Sequence, residues 1–363
     1  MSTSPFMTPS HHRRHRREAA RRRRRRQRMI VAGALALVLA AAVVVVMTLA
    51  GSGDTNGSAA ASAARHAAKP ASSPPPHSAI GLPLGKPPLA LTGISDPQAD
   101  PMHVAFAAPP RAGLLFNLST GQVLWQHNPY IRLRMASLTK MMTALLTVSS
   151  APPDARVLVT REAVDADGSK VGVLPLGKHV RLETMLYGLL LPSGNDAAVA
   201  LAQHVAGSVN RFVLRMNAEA AKLGMGCTRY SSPSGYYDRG NYSCAADLAL
   251  LAHVDLEQPR IAHIVRTYTA ALPFPIKGGR LYLYNNNPLL IYGYPGLTGL
   301  KTGYTEQAGR CLVATAERDG VRLGVVLLHS PDPARQARQL LDRGFEDVYH
   351  QAPVPEPPIP PGV

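Results

Sequence analysis

Cysteine is scarce. Three in 363 residues are too few for a disulfide scaffold, and their spacing matches no zinc motif. The 13 histidines form no metal-ligand pattern either: His11, His12 and His15 belong to a basic tail, and His253 and His263 read as ordinary helix residues. No metal and no organic cofactor is implied. A repeat of fixed period is also missing, which argues against solenoids and propellers. Acidic residues number 23 against 39 Lys and Arg, a formal charge of +16, but the excess is local. Residues 1–28 hold eleven arginines and one glutamate, so about +10 sits there and about +6 remains for the rest. A nucleic-acid partner is therefore not expected for the body of the chain; such binding would be confined to the tail and lost with residues 1–28.

Charge is also missing from Met29 to Ala50, about 22 residues rich in Val, Leu and Ala. At about 1.5 Å per helical residue this run spans a hydrocarbon core of roughly 30 Å. Its basic flank orients residues 1–28 to the cytoplasm and everything after residue 50 outward. The run exceeds the usual h-region of a cleaved signal, which favours a retained single-pass anchor, although the small residues of Ser58–Ala64 offer a cleavage site. Residues 51–102 are rich in Ala, Ser, Gly and Pro and read as a linker; residues 351–363 read as a Pro-rich tail. The folded domain expected between them, residues 103–350, draws on an apolar content of 46%, enough to bury a core.

Within that domain, Ala112–Asn117 and Gln122–Gln126 read as a β-hairpin. A helix is expected from Ser137, carrying Leu138, Met141, Met142, Leu145 and Leu146 on one face, and others over Leu182–Leu191, Asp196–Val205, Val209–Leu223 and Ala245–His253. Leu312–Ala316 and Val321–Leu328 flank Asp319-Gly320, a hairpin turn signal, before a final amphipathic helix over Pro333–Phe345. Strands at both ends with helices between them point to an α+β fold whose terminal segments share one antiparallel sheet. Cys227 and Cys244 flank a loop-rich segment, where a disulfide is allowed but not required, and Cys311 reads as a buried free thiol.

Three short motifs carry chemistry. Ser137-Leu138-Thr139-Lys140 places a hydroxyl and an amine one helical turn apart. A lysine activates a serine only when neutral, against a free pKa of about 10.4. Alone the pattern means little, since Ser-x-x-Lys arises by chance roughly once in a chain of this size, and the bland reading is a helix start with a solvated lysine. Ser193-Gly194-Asn195 lies in a break between helical runs, where it either presents polar groups to a cleft or merely caps a helix. Ser208-Val209-Asn210 has the same form and reads as a helix start. Lys301-Thr302-Gly303 follows a strand candidate, where a cation and a hydroxyl suit a carboxylate and the glycine leaves room for an extended peptide. Lys277-Gly278-Gly279, without the threonine, reads as a turn.

In this order, 56 and 108 residues apart by their first residues, the three motifs are the signature set of penicillin-binding proteins and serine β-lactamases. Ala136–Thr143, Leu190–Ala198 and Gly299–Thr305 closely resemble the low-molecular-mass D-alanyl-D-alanine carboxypeptidases, and the likeness covers about residues 104–350. The resemblance implies a DD-peptidase-like domain with an antiparallel sheet and a helical subdomain. It implies peptidoglycan stem peptides as substrates and β-lactams as inhibitors. Ser137 would be the nucleophile, Lys140 its base and Ser193 a proton relay. Asn195 would position the substrate, with Lys301, Thr302, Gly303 and Tyr304 holding it, and the amides of Ser137 and Tyr304 would receive the oxyanion.

Endopeptidases that cut peptidoglycan crosslinks share these motifs. A β-lactamase with a dedicated deacylating glutamate is disfavoured, because Thr228-Arg229-Tyr230 occupies that neighbourhood. A non-catalytic penicillin sensor is disfavoured by the intact motifs.

Overall fold

The computed structural model describes residues 73–355 except 95, 97–99 and 237–238. The basic tail, the apolar run Met29–Ala50, the first part of the expected linker and residues 356–363 lie outside the described residues.

The chain opens with β1 (Ala112–Asn117) and β2 (Val123–His127), then a 3₁₀ turn, Ala136–Thr139, that runs into α1 (Lys140–Ser150). β3 (Arg156–Leu158), α2 (Arg161–Asp165) and β4 (His179–Arg181) precede the helices α3 (Leu182–Leu190), α4 (Asn195–Ala206), α5 (Val209–Lys222), α6 (Ala245–Leu256) and α7 (Pro259–Val265). A hairpin of β5 (Thr269–Pro273) and β6 (Arg280–Tyr284) and the short α8 (Pro288–Ile291) lead into β7 (Leu297–Thr305), β8 (Gly309–Arg318), β9 (Val321–Ser330) and α9 (Pro333–Arg343).

The two ends of the domain close on each other as expected: one antiparallel sheet runs β2-β1-β9-β8-β7. Asp319 at φ 47° and Gly320 at φ 76° supply the two left-handed positions of the turn between β8 and β9. Alternate side chains leave opposite faces of a strand. Leu114, Phe116, Val313 and Val326 therefore enter the core shared with the helices, while Leu115, Leu312, Ala314 and Val325 enter a second core closed by Leu340, Leu341 and Phe345. The sequence reading contains neither of the two small two-stranded sheets, β3-β4 and β5-β6. β3 and β4 are too short to show a period, and the β5–β6 hairpin buries only Leu281 and Leu283 on β6 while Tyr282 and Tyr284 face solvent. Its connection does include Lys277-Gly278-Gly279, with both glycines at positive φ.

The expected linker needs correction from residue 73 onward, because that part is docked on the domain. The Gly85 amide donates to the Ala221 carbonyl at 2.8 Å, Thr92 bridges to Gln122, and Leu89, Ile94 and Met102 are buried. Asp100 accepts from the Gln126 amide at 3.0 Å and from its Nε2 at 2.7 Å. An extended Pro-rich segment needs no periodic pattern when an existing surface supplies its partners, so composition did not reveal the docking. Asp100→Ala should lower stability by about 1–3 kcal/mol in urea denaturation, since it removes the acceptor of the buried Gln126 main-chain amide and leaves Nε2 only the Gly93 carbonyl; a change below about 0.5 kcal/mol would return the segment to a spacer.

Candidate active site

The first motif starts in the 3₁₀ turn, where an α-helix was expected from Ser137. Ala136 sits at φ 48°, a left-handed conformation that costs a non-glycine residue roughly 1–2 kcal/mol and persists only when neighbours hold it. Residues three apart eclipse in 3₁₀ geometry, and Lys140 Nζ lies 2.9 Å from Ser137 Oγ.

Lys140 is not solvated. Its side chain is fully buried, and Nζ donates to Asn195 Oδ1 at 2.7 Å and to the Ser234 carbonyl at 2.9 Å. Asn195 Nδ2 donates to the Asp167 carbonyl, which orients the amide so that its oxygen faces the lysine. Burial pushes the Lys140 pKa well below its ordinary value; the Lys301 cation adds to this and Asp196 opposes it. A neutral amine has two N–H groups and one lone pair. Nζ has three partners in all, Ser137 Oγ being the third, so when the amine is neutral and both N–H groups stay on the carbonyl oxygens the lone pair is left toward the Ser137 hydroxyl.

Ser193 and Asn195 come to the same place. Ser193 is held at φ 65°, and its buried Oγ has no hydrogen-bond partner among the described residues. The capping alternative fails for both residues, because Gly194 is the N-cap of α4 and the first-turn Ala197 amide is taken by the Asp196 carboxylate, not by Ser193 or Asn195. Asp196, next in sequence, accepts from the amides of Val171, Gly172 and Ala197 at 2.8–3.0 Å, fixing the loop that borders the site. Of the two decoys, Ser208 does cap α5, through the Arg211 amide, and Lys277 lies in the turn.

β7 brings the third motif to the opposite wall. Lys301 is buried, donates to the Thr302 carbonyl at 3.0 Å, and has its pKa pushed down to about 7 by burial. Thr302 Oγ1 donates to Asn286 Oδ1 at 2.9 Å. Gly303 has a reason beyond the one expected: a Cβ there would lie 2.9 Å from the Met135 carbonyl oxygen and 3.1 Å from the Ser137 nitrogen. Its bareness lets the strand pack on the nucleophile turn. Tyr304 is 65% exposed and follows directly.

Two cavities meet at Ser137, Ser169 and Tyr304. The larger, about 710 Å³, is lined by Arg134, Gly168, Asn195, Tyr236, Arg239 and Glu306. The smaller, about 270 Å³, is lined by Ser193, Asn286, Thr302, Gly303 and Arg310. A chain laid across Ser137 thus has one side in each, and the arrangement suits nucleophilic acyl transfer. Sequence reasoning missed Ser234, which acts through its main chain and leaves no side-chain signal, and Arg310, which no motif marks. Asp196 could have been found, since it adjoins Asn195. Cys227, Cys244 and Asp247 have ligand-like spacing, but the two sulfurs are joined in a disulfide.

Residues 103–332 match the family model described as D-alanyl-D-alanine carboxypeptidase, peptidase S11. The chain is 34% identical over 243 residues to D-alanyl-D-alanine carboxypeptidase DacF of Bacillus subtilis, covering 65% of this chain and 62% of that relative, less than two thirds of its length. It is 33% identical to a D-alanyl-D-alanine endopeptidase of Pseudomonas aeruginosa, covering 65% of this chain and 83% of that one. The crystal structure of the Streptomyces K15 DD-transpeptidase superposes with a TM-score of 0.62 at 31% identity, covering 67% of this chain and 99% of that one.

Gly303→Ala should slow modification of Ser137 by on the order of 100-fold while the protein stays folded, because the strand must shift off the turn. Rates of labelling by a fluorescent penicillin measure this, and labelling within about 3-fold of the native rate would show that the contact does not position the nucleophile.

Proposed function

The chain belongs to the peptidase S11 family of D-alanyl-D-alanine carboxypeptidases, and from that premise we propose that it removes the terminal D-alanine from peptidoglycan stem pentapeptides through an acyl-enzyme on Ser137. The observation that carries this reading is the fully buried Lys140, whose two N–H groups are taken by Asn195 and Ser234 and whose third direction points at Ser137 Oγ.

The Ser137 hydroxyl gives its proton to Lys140 as Oγ bonds to the penultimate carbonyl carbon. Negative charge develops on the carbonyl oxygen, toward the amides of Ser137 and Tyr304; one such donor is worth roughly 3–4 kcal/mol where it has been removed from other enzymes. The C–N bond then breaks, and the leaving nitrogen receives the proton by way of Ser193, whose Oγ no neighbour occupies among the described residues. The departing alanine lies in the smaller cavity, its carboxylate near Lys301 and Thr302, while Asn195 lines the side that holds the acyl part. Water then takes the place of the departed amine: it gives a proton to Lys140 as its oxygen bonds to the acyl carbon, and the bond to Ser137 Oγ breaks as Oγ takes that proton back, releasing the shortened peptide. β-Lactams, which mimic the D-Ala-D-Ala end, acylate the same serine.

A smaller cavity of about 270 Å³ suits one alanine and its carboxylate better than a crosslinked stem. Crosslink cleavage is the second reading, favoured by the 33% identity to an endopeptidase over 83% of its length. We also read Met29–Ala50 as a single-pass anchor that holds the catalytic domain outside the cytoplasmic membrane, on the strength of its length, apolarity and basic flank. Among the described residues no helix is long and apolar enough to cross a membrane.

The full chain in detergent, incubated with a pentapeptide ending in D-Ala-D-Ala and separately with a crosslinked dimer, should remove one alanine from the first, read by mass, and Ser137→Ala should not. Cleavage of the dimer alone would transfer the assignment to endopeptidase, and no product from either would contradict the enzyme.

A further inference from the structure

Cys227 and Cys244 are joined across a sequence separation of 17, with Cα atoms 5.7 Å apart and both residues buried. The stretch they enclose forms the back wall of the acylation site. At its far end the Ser234 carbonyl accepts from Lys140 Nζ, the Pro233 carbonyl accepts from Thr143 Oγ1 at 2.7 Å, and Asn241 Nδ2 donates to Thr139 Oγ1 at 2.8 Å. Thr139 in turn donates to the Ala136 carbonyl at 2.8 Å. Gly235, at φ 74°, passes so close that a Cβ would lie 2.0 Å from the Ala136 carbonyl oxygen. Tyr236 and Arg239 continue the stretch into the larger cavity. The described part of this closed loop therefore touches Ala136 and Thr139 in the nucleophile turn and Lys140 and Thr143 at the start of α1.

The base of that loop is otherwise held by hydrogen bonds: main-chain pairs between Arg229 and Tyr242 and between Leu133 and Ser243, Asn217 on Tyr230, a hydroxyl pair between Thr228 and Ser243, and Asp247, which accepts from the Cys227 amide and the Thr228 hydroxyl. Such bonds exchange with water when the chain opens locally; the covalent bridge does not. It also restricts the states open to the loop before it docks.

We propose that the Cys227–Cys244 bridge is a positioning element of the acylation site: it keeps the Ser234 carbonyl on Lys140 Nζ, so that the bridged chain acylates Ser137 and the dithiol form does so far more slowly. Closing the bridge transfers two electrons and two protons from the thiols to a disulfide oxidant, which leaves as two thiols. Catalytic competence is thereby tied to an oxidising environment. The inference rests on the acyl-enzyme reading above.

When the carbonyl withdraws, one Lys140 N–H loses its acceptor and the lone pair loses its aim. Water entering the gap relieves the burial that depresses the Lys140 pKa, so that pKa rises. A base with a higher pKa is neutral only at higher pH, and the acid limb of the acylation profile moves upward.

Saturating acylation rates with a fluorescent penicillin, measured across pH, compare the native full chain with Cys227→Ala/Cys244→Ala. The expected result is a fall of at least about 10-fold at neutral pH with the acid limb displaced to higher pH. Equal rates and an unmoved limb in the variant overturn the proposal alone, whereas a native chain that penicillin never acylates overturns the acyl-enzyme reading as well. Should the double variant not fold, graded dithiothreitol redox buffers on the native chain decide the matter. Acylation that follows the bridged fraction, read by mass, supports the proposal, and acylation independent of it overturns it.

Discussion

Two lysines buried side by side govern this structure. Lys140 and Lys301 are both almost wholly removed from solvent, and the effective penalty for burying a charged ammonium is several kcal/mol. The fold meets that penalty by making the charge optional. Burial lowers both pKa values, and the Lys301 cation lowers that of Lys140 further. The stability cost has a definite sign. Above pH 10.5 Lys301 is neutral folded or unfolded, and its burial carries no protonation cost; between 10.5 and about 7 the cost grows as pH falls; below about 7 it is fully present. A lysine that is costly to protonate is also a lysine available as a base.

Much of the remaining architecture serves to keep those side chains in place. The sheet brings the C-terminal strands back onto the N-terminal hairpin, and this closure sets β7 against the nucleophile turn. The turn itself is over-determined: Ala136 occupies a left-handed conformation, Gly303 and Gly235 press on it from two sides, and Thr139 ties it to its own first carbonyl and to Asn241. A site built this way has little freedom to relax, which preserves short distances between groups that would separate in water.

Motif order and spacing made the chemistry legible from sequence, and alternation of apolar residues made the sheet legible. Ser137, Ser193, Asn195, Thr302, Gly303 and Tyr304 line the two joined cavities, and the buried Lys140 and Lys301 reach Ser137 and Asn195 and the Thr302 carbonyl respectively. Contacts made through the main chain or by irregular segments stayed hidden. The Ser234 carbonyl could belong to any residue type, the docked stretch from residue 73 has no period, and the 3₁₀ geometry at Ser137 depends on neighbours hundreds of ångströms of extended chain away. Gly303 was singled out for a plausible reason that proved incomplete, because a glycine leaves no sign of which neighbour it makes room for. The pairing of Cys227 with Cys244 was allowed by spacing but required the fold to bring the two together.

The account depends on Lys140 being an uncharged amine in the resting protein, with its lone pair toward Ser137. Nitrogen NMR of the native chain, with Lys140 assigned by comparison with Lys140→Arg, reads the charge on Nζ directly through a pH titration. A protonation midpoint well below 10.5 is predicted, leaving a neutral fraction near physiological pH large enough to act as base. A Lys140 Nζ that stays protonated up to its ordinary value would contradict the account and leave Ser137 without an activating group.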